Sequence, residues 1–209
     1  MNLIVHQLKK RLSASINKIA DWALFLGVVL IGGFGSSWYM VEAGSLLTTR
    51  TVGPWMLWTA AARADADPYT RAHFARLGAL PMSTEVTETY FAQTDSAASR
   101  LNSSCDYSVE GRDLPRQWWS LTMFDDHGRL ISNVTERYTF TSDTIALNPN
   151  GTFLISMARD ARPGNWLPTG GAGRISLVFT VLDLGLGVSE RDSLDDAERL
   201  PVIRRGQCR

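Results

Sequence analysis

The residues best suited to ligand recognition lie in the second half of the chain, in or beside predicted strand ends. Arginine combined with tryptophan is typical of surfaces that bind anionic or sugar-like ligands, and of the energetic centres of protein interfaces. The adjacent residues Trp118 and Trp119 add further large aromatic side chains. The candidate ligand-binding residues are Trp118, Arg137, Arg159, Asp160, Asn165 and Trp166, with Glu136 and Arg162 beside them.

The same residues have a structural interpretation, which the sequence favours. Arg137 could pair with Glu136 or Asp160 in an ordinary surface ion network. Trp166 could fix its loop onto a sheet, because large aromatic side chains are usually packed. Ligand binding at these residues is therefore the less favoured of two hypotheses.

The sequence holds no signature of a catalytic or metal site. There is no G-x-S-x-G motif, and no cysteine is flanked like a protease nucleophile. Neither His73 nor His127 has a second histidine or cysteine at ligand spacing. Asp125, Asp126 and His127 could hold a cation weakly, but a solvated hairpin tip explains them better. We predict no catalytic residue, metal or cofactor, and expect a binding module rather than an enzyme.

A run of twenty residues without a charge, at 22–41, predicts a single transmembrane helix. Such a helix is roughly 30 Å long, which matches the hydrocarbon thickness of a bilayer. Trp22 stands at one edge, and Trp38 with Tyr39 at the other, as interfacial aromatic residues prefer. The flanking positive charges precede the span, at Lys9, Lys10, Arg11 and Lys18. The positive-inside rule then predicts a cytoplasmic N-terminus and a periplasmic main domain on the bacterial inner membrane.

Two alternatives to an uncleaved anchor remain open, a cleaved signal peptide and a buried helix of a soluble protein. Residues 1–21 have apolar and basic positions at the spacing of an amphipathic helix lying on the membrane. The pairs Gly32–Ser36 and Gly33–Ser37 could let two such helices pack as a dimer. The formal net charge of zero argues against a nucleic-acid partner.

Residues 42–104 predict a mainly helical or mixed connecting region. We expect one helix from Pro54, because strong helix formers follow it. We expect a second helix between the N-cap Asp67 and the terminating Gly78, with Pro68 at its first position. The segment "EVTETYFAQT" is rich in β-branched and aromatic residues and predicts a strand.

Residues 105–209 predict an antiparallel β domain, because short strands alternate with turn signals and show no helical period. Residues 183–199 indicate a charged loop or short helix, followed by a tail. The predicted strands are "CDYSVEG", "WWSLTMF", "LISNV", "ERYTF", "TFLISMAR" and "RISLVFTVL". The fold class is thus mainly β, a sandwich-like domain with a few short helices after one transmembrane helix.

Strand alternation separates the two adjacent tryptophans. Trp119, Leu121 and Met123 share one face of their strand and are expected in the core. Trp118 points the opposite way. The helices expected at 55–80 could cover it, or it could line a groove.

Several blocks in order resemble the bacterial family of unknown function numbered 1214, over about residues 55–185. They are "DPYTRAHFARLGALP", "ETYFAQTD", "CDYSVEG", "WWSLTMFDDHGRLISN", "NPNGTFLISM" and "GNWLPTG". The resemblance implies a β-sandwich-like domain of envelope or exported proteins, without agreed catalytic residues. It also implies an upstream second domain in many relatives, in place of which we expect the membrane helix here. The pieces "CDYSV" and "LPVIRRGQC" resemble a membrane-anchored branch, in which Cys105 and Cys208 would be a natural pair. Two free thiols or an intermolecular bridge are the alternatives.

The function we expect is a membrane-anchored periplasmic module that binds an envelope component, either a partner protein or a glycan. The alternatives are a hydrolase acting on an envelope glycan or ester, and an accessory subunit of a membrane complex.

Overall fold

The computed structural model describes residues 2–114, 117–183 and 199–209, and the chain forms two compact units, Met1–Ser45 and Leu46–Arg209. The first unit consists mainly of the helix α1, Asn2–Ala43. Its part Asn17–Ala43 is long and apolar enough to cross a membrane. One uninterrupted helix therefore covers both the predicted basic segment and the predicted span.

The second unit contains two β-sheets, which confirms the mainly β fold. The six-stranded sheet has the order β1 (Thr49–Val52), β2 (Trp55–Trp58), β3 (Thr87–Ala92), β9 (Ile175–Asp183), β5 (Gln117–Asp125) and β6 (Thr139–Thr141). The four-stranded sheet has the order β10 (Val202–Cys208), β4 (Cys105–Arg112), β7 (Thr152–Ala158) and β8 (Asn165–Pro168). Neighbouring strands in the described ranges are antiparallel, except that β7 and β8 are parallel.

Aromatic and aliphatic side chains from both sheets form one core. Trp119 of β5 and Phe153 of β7 stack with their ring centroids 4.7 Å apart, so the two sheets pack face to face. Phe179 of β9 lies 5.8 Å from Trp119. Leu121 and Met123 are buried on the same face of β5 as Trp119, as strand alternation predicts.

The prediction of a helix beginning at Pro54 is wrong, because residues 49–58 form the hairpin β1–β2. Gly53 and Pro54 separate the paired residues Val52 and Trp55. Gly53 has a φ of 56°, which a two-residue hairpin turn accepts from glycine at its first position. Trp55 and Leu57 are buried in the core. Their burial outweighs the helix propensity of the alanines that follow.

The second helix, α2 (Pro68–Leu77), forms as predicted. The Asp67 carboxylate accepts hydrogen bonds from the backbone N–H groups of Tyr69 and Thr70, at 2.9 and 3.0 Å. Gly78 ends the helix in the left-handed conformation, with a φ of 62°.

Three further segments differ from the predictions. The expected strand at 130–134 contributes only an isolated bridge, between Phe124 and Leu130. The "NWLP" block forms β8, and the expected tail forms β10. The predicted charged loop falls mostly at 184–198, outside the described residues.

A disulfide between Cys105 and Cys208 joins β10 to β4, and the two Cα atoms are 3.9 Å apart. Arg205 reinforces β10, because its side chain pairs with the buried carboxylate of Asp95 at 3.0 Å. The C-terminal strand is thus a fixed part of the sheet.

Candidate functional site

A groove of about 570 Å³ lies on the outer face of the six-stranded sheet. We call it the sheet-face groove. Its volume falls within the usual range of small-molecule sites. Its lining combines apolar and charged residues, namely Leu77, Phe91, Gln93, Arg100, Leu101, Phe124, Asp125, Asp126, Gly128, Arg174, Ile175, Ser176 and Val178.

Strand register brings the residues of the groove floor together. Phe91 of β3 is opposite Val178 of β9, and Phe124 of β5 is opposite Ser176 of β9. The two phenylalanines therefore flank the central strand β9. All four side chains point away from the core and are half-buried. They form an apolar floor with one hydroxyl group.

The helix α2 supplies one wall through Leu77, whose side chain is exposed. The helix packs on the same sheet face, since its His73 stacks on the buried ring of Trp58 at a centroid distance of 4.1 Å. Phe74 makes an edge contact with the same ring, at 6.0 Å. These aromatic contacts fix the wall relative to the floor.

The hairpin after β5 supplies two carboxylates to the rim. The Asp125 carboxylate accepts hydrogen bonds from the backbone N–H groups of Arg129 and His127 and from the Arg129 guanidinium, at 2.8, 2.9 and 3.0 Å. These bonds, the Arg129 backbone bond first, lower the pKa of the Asp125 carboxyl. Asp125 is thus held ionised as a turn-forming residue, which makes it a poor general acid near neutral pH.

The neighbouring carboxylate of Asp126 is shared between an imidazole and a guanidinium group. It lies 2.7 Å from His127 Nδ1 and 3.6 Å from the Arg174 guanidinium. Ligand atoms of Asp125, Asp126 and His127 lie within 4.8 Å of one another. A cation there would compete with Arg129 for the Asp125 oxygens, so the arrangement is explained as a hairpin turn.

Arg100 lies on the rim, and its main chain is held firmly. It forms an isolated bridge with Thr94, and its carbonyl accepts a hydrogen bond of 2.7 Å from Arg205. The loop between them is closed by Asp95, whose side chain accepts backbone hydrogen bonds from Ala97 and Ser99. Across the described ranges, the exposed Arg100 guanidinium has no ion-pair partner. Among the described residues, the groove therefore has one positive charge without an acidic partner.

Residues 87–183 match the model of a family described as "Protein of unknown function (DUF1214)". The chain thus contains a DUF1214 region, which makes up just under half of its length. No curated protein matches it.

The chain shares its fold with a solved structure. It is similar to the crystal structure of the VPA0106 protein from Vibrio parahaemolyticus, with a TM-score of 0.55 and 17% identity over 84% of this chain and 43% of that chain. An uncharacterised protein from Burkholderia cenocepacia matches with a TM-score of 0.44 and 16% identity, over 62% of this chain and 32% of that chain. The chain thus spans less than half the length of either relative.

The structure divides the site residues predicted from sequence into separate groups. In the DUF1214 domain, Asn165 is buried and its amide exchanges hydrogen bonds with the Ala146 backbone. The Trp166 indole donates to the Ala158 carbonyl at 3.0 Å, and the Trp166 carbonyl accepts from Arg137 at 3.2 Å. This group serves to hold β8 and its neighbours together.

The other predicted residues lie apart from this group. Asp160 forms an exposed ion pair with Arg209, and Arg162 pairs with Asp106. Arg159 extends over Gly171, whose added Cβ would lie 3.6 Å from the guanidinium. These contacts fit the structural interpretation of the charged residues, and none of the three lines the sheet-face groove.

Trp118 lies on the outer sheet face, half-buried, opposite Leu182. Its indole donates a hydrogen bond of 2.9 Å to Asp143, so its ring has a fixed orientation. It does not line the sheet-face groove, although it shares the outer face of β5 with Phe124.

A buried charged cluster beside the core was not predicted from the sequence. Arg199 is 7% exposed and pairs with Glu88 at 3.1 Å. Tyr90 donates a hydrogen bond of 3.2 Å to the same carboxylate. Burial raises the pKa of the Tyr90 hydroxyl, so it remains a donor. Since each group has a partner, the cluster is structural.

Proposed function

We propose that this chain is a single-pass inner-membrane protein whose β domain lies in the periplasm and binds an envelope component in the sheet-face groove. The groove carries this proposal. It combines an apolar floor, a fixed wall and an arginine that has no ion pair within the described ranges, which is the composition of a binding site.

Two features support the proposed location. The candidate span Asn17–Ala43 follows a cluster of lysine and arginine residues, which favours a cytoplasmic N-terminus. The pair Cys105–Cys208 is a disulfide, and such bridges persist in oxidising compartments such as the periplasm.

Binding is better supported than hydrolysis. A hydrolase with two carboxylates would need one of them to exchange protons. In the groove, Asp125 is committed to three hydrogen bonds, and Asp126 is shared between His127 and Arg174. Their geometry stabilises the hairpin and leaves the floor to make the main contacts.

Labelling of a cysteine placed in the groove tests both location and occupancy. In Ser176→Cys, the new thiol would line the groove floor, while the native cysteines remain in their disulfide. The control is Arg112→Cys, at an exposed position of β4 in the other sheet. Both full-length variants are exposed to a membrane-impermeant maleimide, in intact spheroplasts and after purification.

We expect both thiols to react in intact spheroplasts, because the domain is external. We expect the groove thiol to react several-fold more slowly there than in the purified chain, relative to the control, because an envelope component occupies the groove. Reaction only after lysis would refute the location. Equal relative rates in both preparations would refute occupancy of the groove.

A further inference from the structure

We infer that the sheet-face groove binds an amphipathic carboxylate, with an acyl-type apolar body on the floor and its single negative charge on Arg100. This inference rests on the proposed role of the groove as a binding site. It adds the chemical class of the ligand.

The floor determines the apolar part of the ligand. Phe91, Val178 and Phe124 supply apolar side chains from three neighbouring strands, and Leu77 adds another on the wall. A bound apolar chain would remove this surface and its own from water, at about 25 cal/mol per Å². The volume of about 570 Å³ accommodates a small molecule rather than a folded partner.

The rim determines the charge of the ligand. The Arg100 guanidinium is exposed and has no ion-pair partner in the described parts of the chain, while its main chain is fixed by Thr94 and Arg205. A guanidinium binds a carboxylate through two parallel hydrogen bonds. A cationic amphiphile would be repelled by Arg100, so the ligand is an anion.

The carboxylates on the rim favour a single negative charge over a double one. Asp125 and Asp126 line the same groove as Arg100. Because like charges repel at short range, a phosphate monoester with its second charge would be disfavoured relative to a carboxylate. The shape and the charge of the groove thus both favour a monoanionic amphiphile as the ligand.

Photolabelling of the full-length chain in lipid nanodiscs tests the inference. The probe is a twelve-carbon fatty acid with a diazirine at the end of its chain, and peptide mass spectrometry locates the label. Labels on α1 report partitioning of the probe into lipid. Labels on the strands that carry Phe91, Phe124 and Val178 report the groove.

We expect the probe to label the groove, and we expect decanoate to suppress this labelling. Decyl phosphate and decyltrimethylammonium should suppress it at least about tenfold less effectively than decanoate does. We expect Arg100→Gln to weaken the apparent affinity about tenfold or more, as loss of a charge-assisted hydrogen bond should. Arg100→Lys should retain part of the affinity that Arg100→Gln loses. The matched control Arg112→Gln removes an exposed arginine from the other sheet and should change nothing.

Two outcomes would overturn the assigned ligand class while the groove remained a binding site. One is groove labelling that is unchanged in Arg100→Gln, and the other is equal groove labelling by an uncharged decanol probe. Absence of groove labels with every probe would overturn both this inference and the proposed binding role. Near-ultraviolet circular dichroism of each variant checks that the fold is retained.

Discussion

Replacing Gly111 by alanine should destabilise the β domain, because an aromatic ring occupies the space of the new methyl group. Gly111 in β4 pairs with Phe153 in β7. An added Cβ would lie 2.3 Å from Phe153 Cζ and 2.9 Å from both Cε atoms. Since carbon atoms pack at about 3.5–4.0 Å, the ring would have to move by at least ~1 Å.

The ring has little room to move. Phe153 is 2% exposed and stacks on Trp119, whose ring centroid is 4.7 Å away. Trp119 is itself fully buried, and it packs on Phe179. Overpacking of a core costs about 1–3 kcal/mol, and alanine recovers about 0.4–1 kcal/mol through the unfolded chain. We therefore expect Gly111→Ala to lower the free energy of unfolding by about 1–2 kcal/mol.

Urea unfolding of the detergent-solubilised chain, followed by tryptophan fluorescence, measures this loss. Phe153→Leu removes the ring atoms that meet the new methyl group. The double variant should therefore lose about 1 kcal/mol less free energy of unfolding than the two single variants lose together. A coupling energy of this size is typical of residues in contact. A Gly111→Ala variant as stable as the wild type, or a coupling energy of zero, would refute the packing described for Phe153.

Two further predictions concern threonine and aspartate residues. Thr169 is fully buried, and its hydroxyl has no hydrogen-bond partner among the described residues. Thr169→Val should therefore leave the free energy of unfolding unchanged or raise it by up to about 1 kcal/mol. A loss above about 1 kcal/mol would contradict this, because it would mean that the hydroxyl has a partner. Asp67→Ala should lower the free energy of unfolding by about 1 kcal/mol at pH 7, through loss of the N-cap. Burial opposes ionisation of Asp67, but hydrogen bonds from Thr70 and Tyr69 outweigh it and lower the pKa of the carboxyl, so its contribution is present above the ordinary carboxyl pKa of about 4 and is lost as the pH falls below it. The difference between Asp67→Ala and the wild type should accordingly shrink in acid, and a difference independent of pH would contradict this account.

Local signals in the sequence predicted the elements whose structure depends on local chemistry. Asp67, Pro68 and Gly78 bound α2, because caps and left-handed positions are properties of single residues. Alternation identified the core face of β5, since Trp119, Leu121 and Met123 alternate with the polar residues Ser120 and Thr122. Both depend on residues a few positions apart.

The hairpin β1–β2 shows where local propensity failed. Alanines after Trp58 favour a helix, and proline at position 54 suits a first turn. Burial of Trp55 against Phe179 is a contact between residues distant in sequence. Tertiary packing of this kind decides the structure of short segments, and no window of the sequence contains it.

The candidate site could not be predicted for a related reason. Arg137, Asp160 and Trp166 lie within thirty residues of one another in sequence, yet they make contacts with different parts of the fold. The groove floor instead joins Phe91, Phe124 and Val178, which become neighbours only through strand register. Alternation placed Phe124 on the outer face of its strand, but the sequence did not indicate which strands lie beside it.

The central strand β9 couples the groove to the core. Its residues Leu177 and Phe179 are buried between the sheets, while Ser176 and Val178 form part of the groove floor. Because side chains alternate along a strand, a shift of one residue in register would move both sets to the wrong face. The hydrophobic core therefore fixes the register that aligns Phe91 and Phe124 on either side of β9. Substitutions in the core should reach the groove through this register, whereas substitutions at Arg100 on the rim should leave the core unchanged.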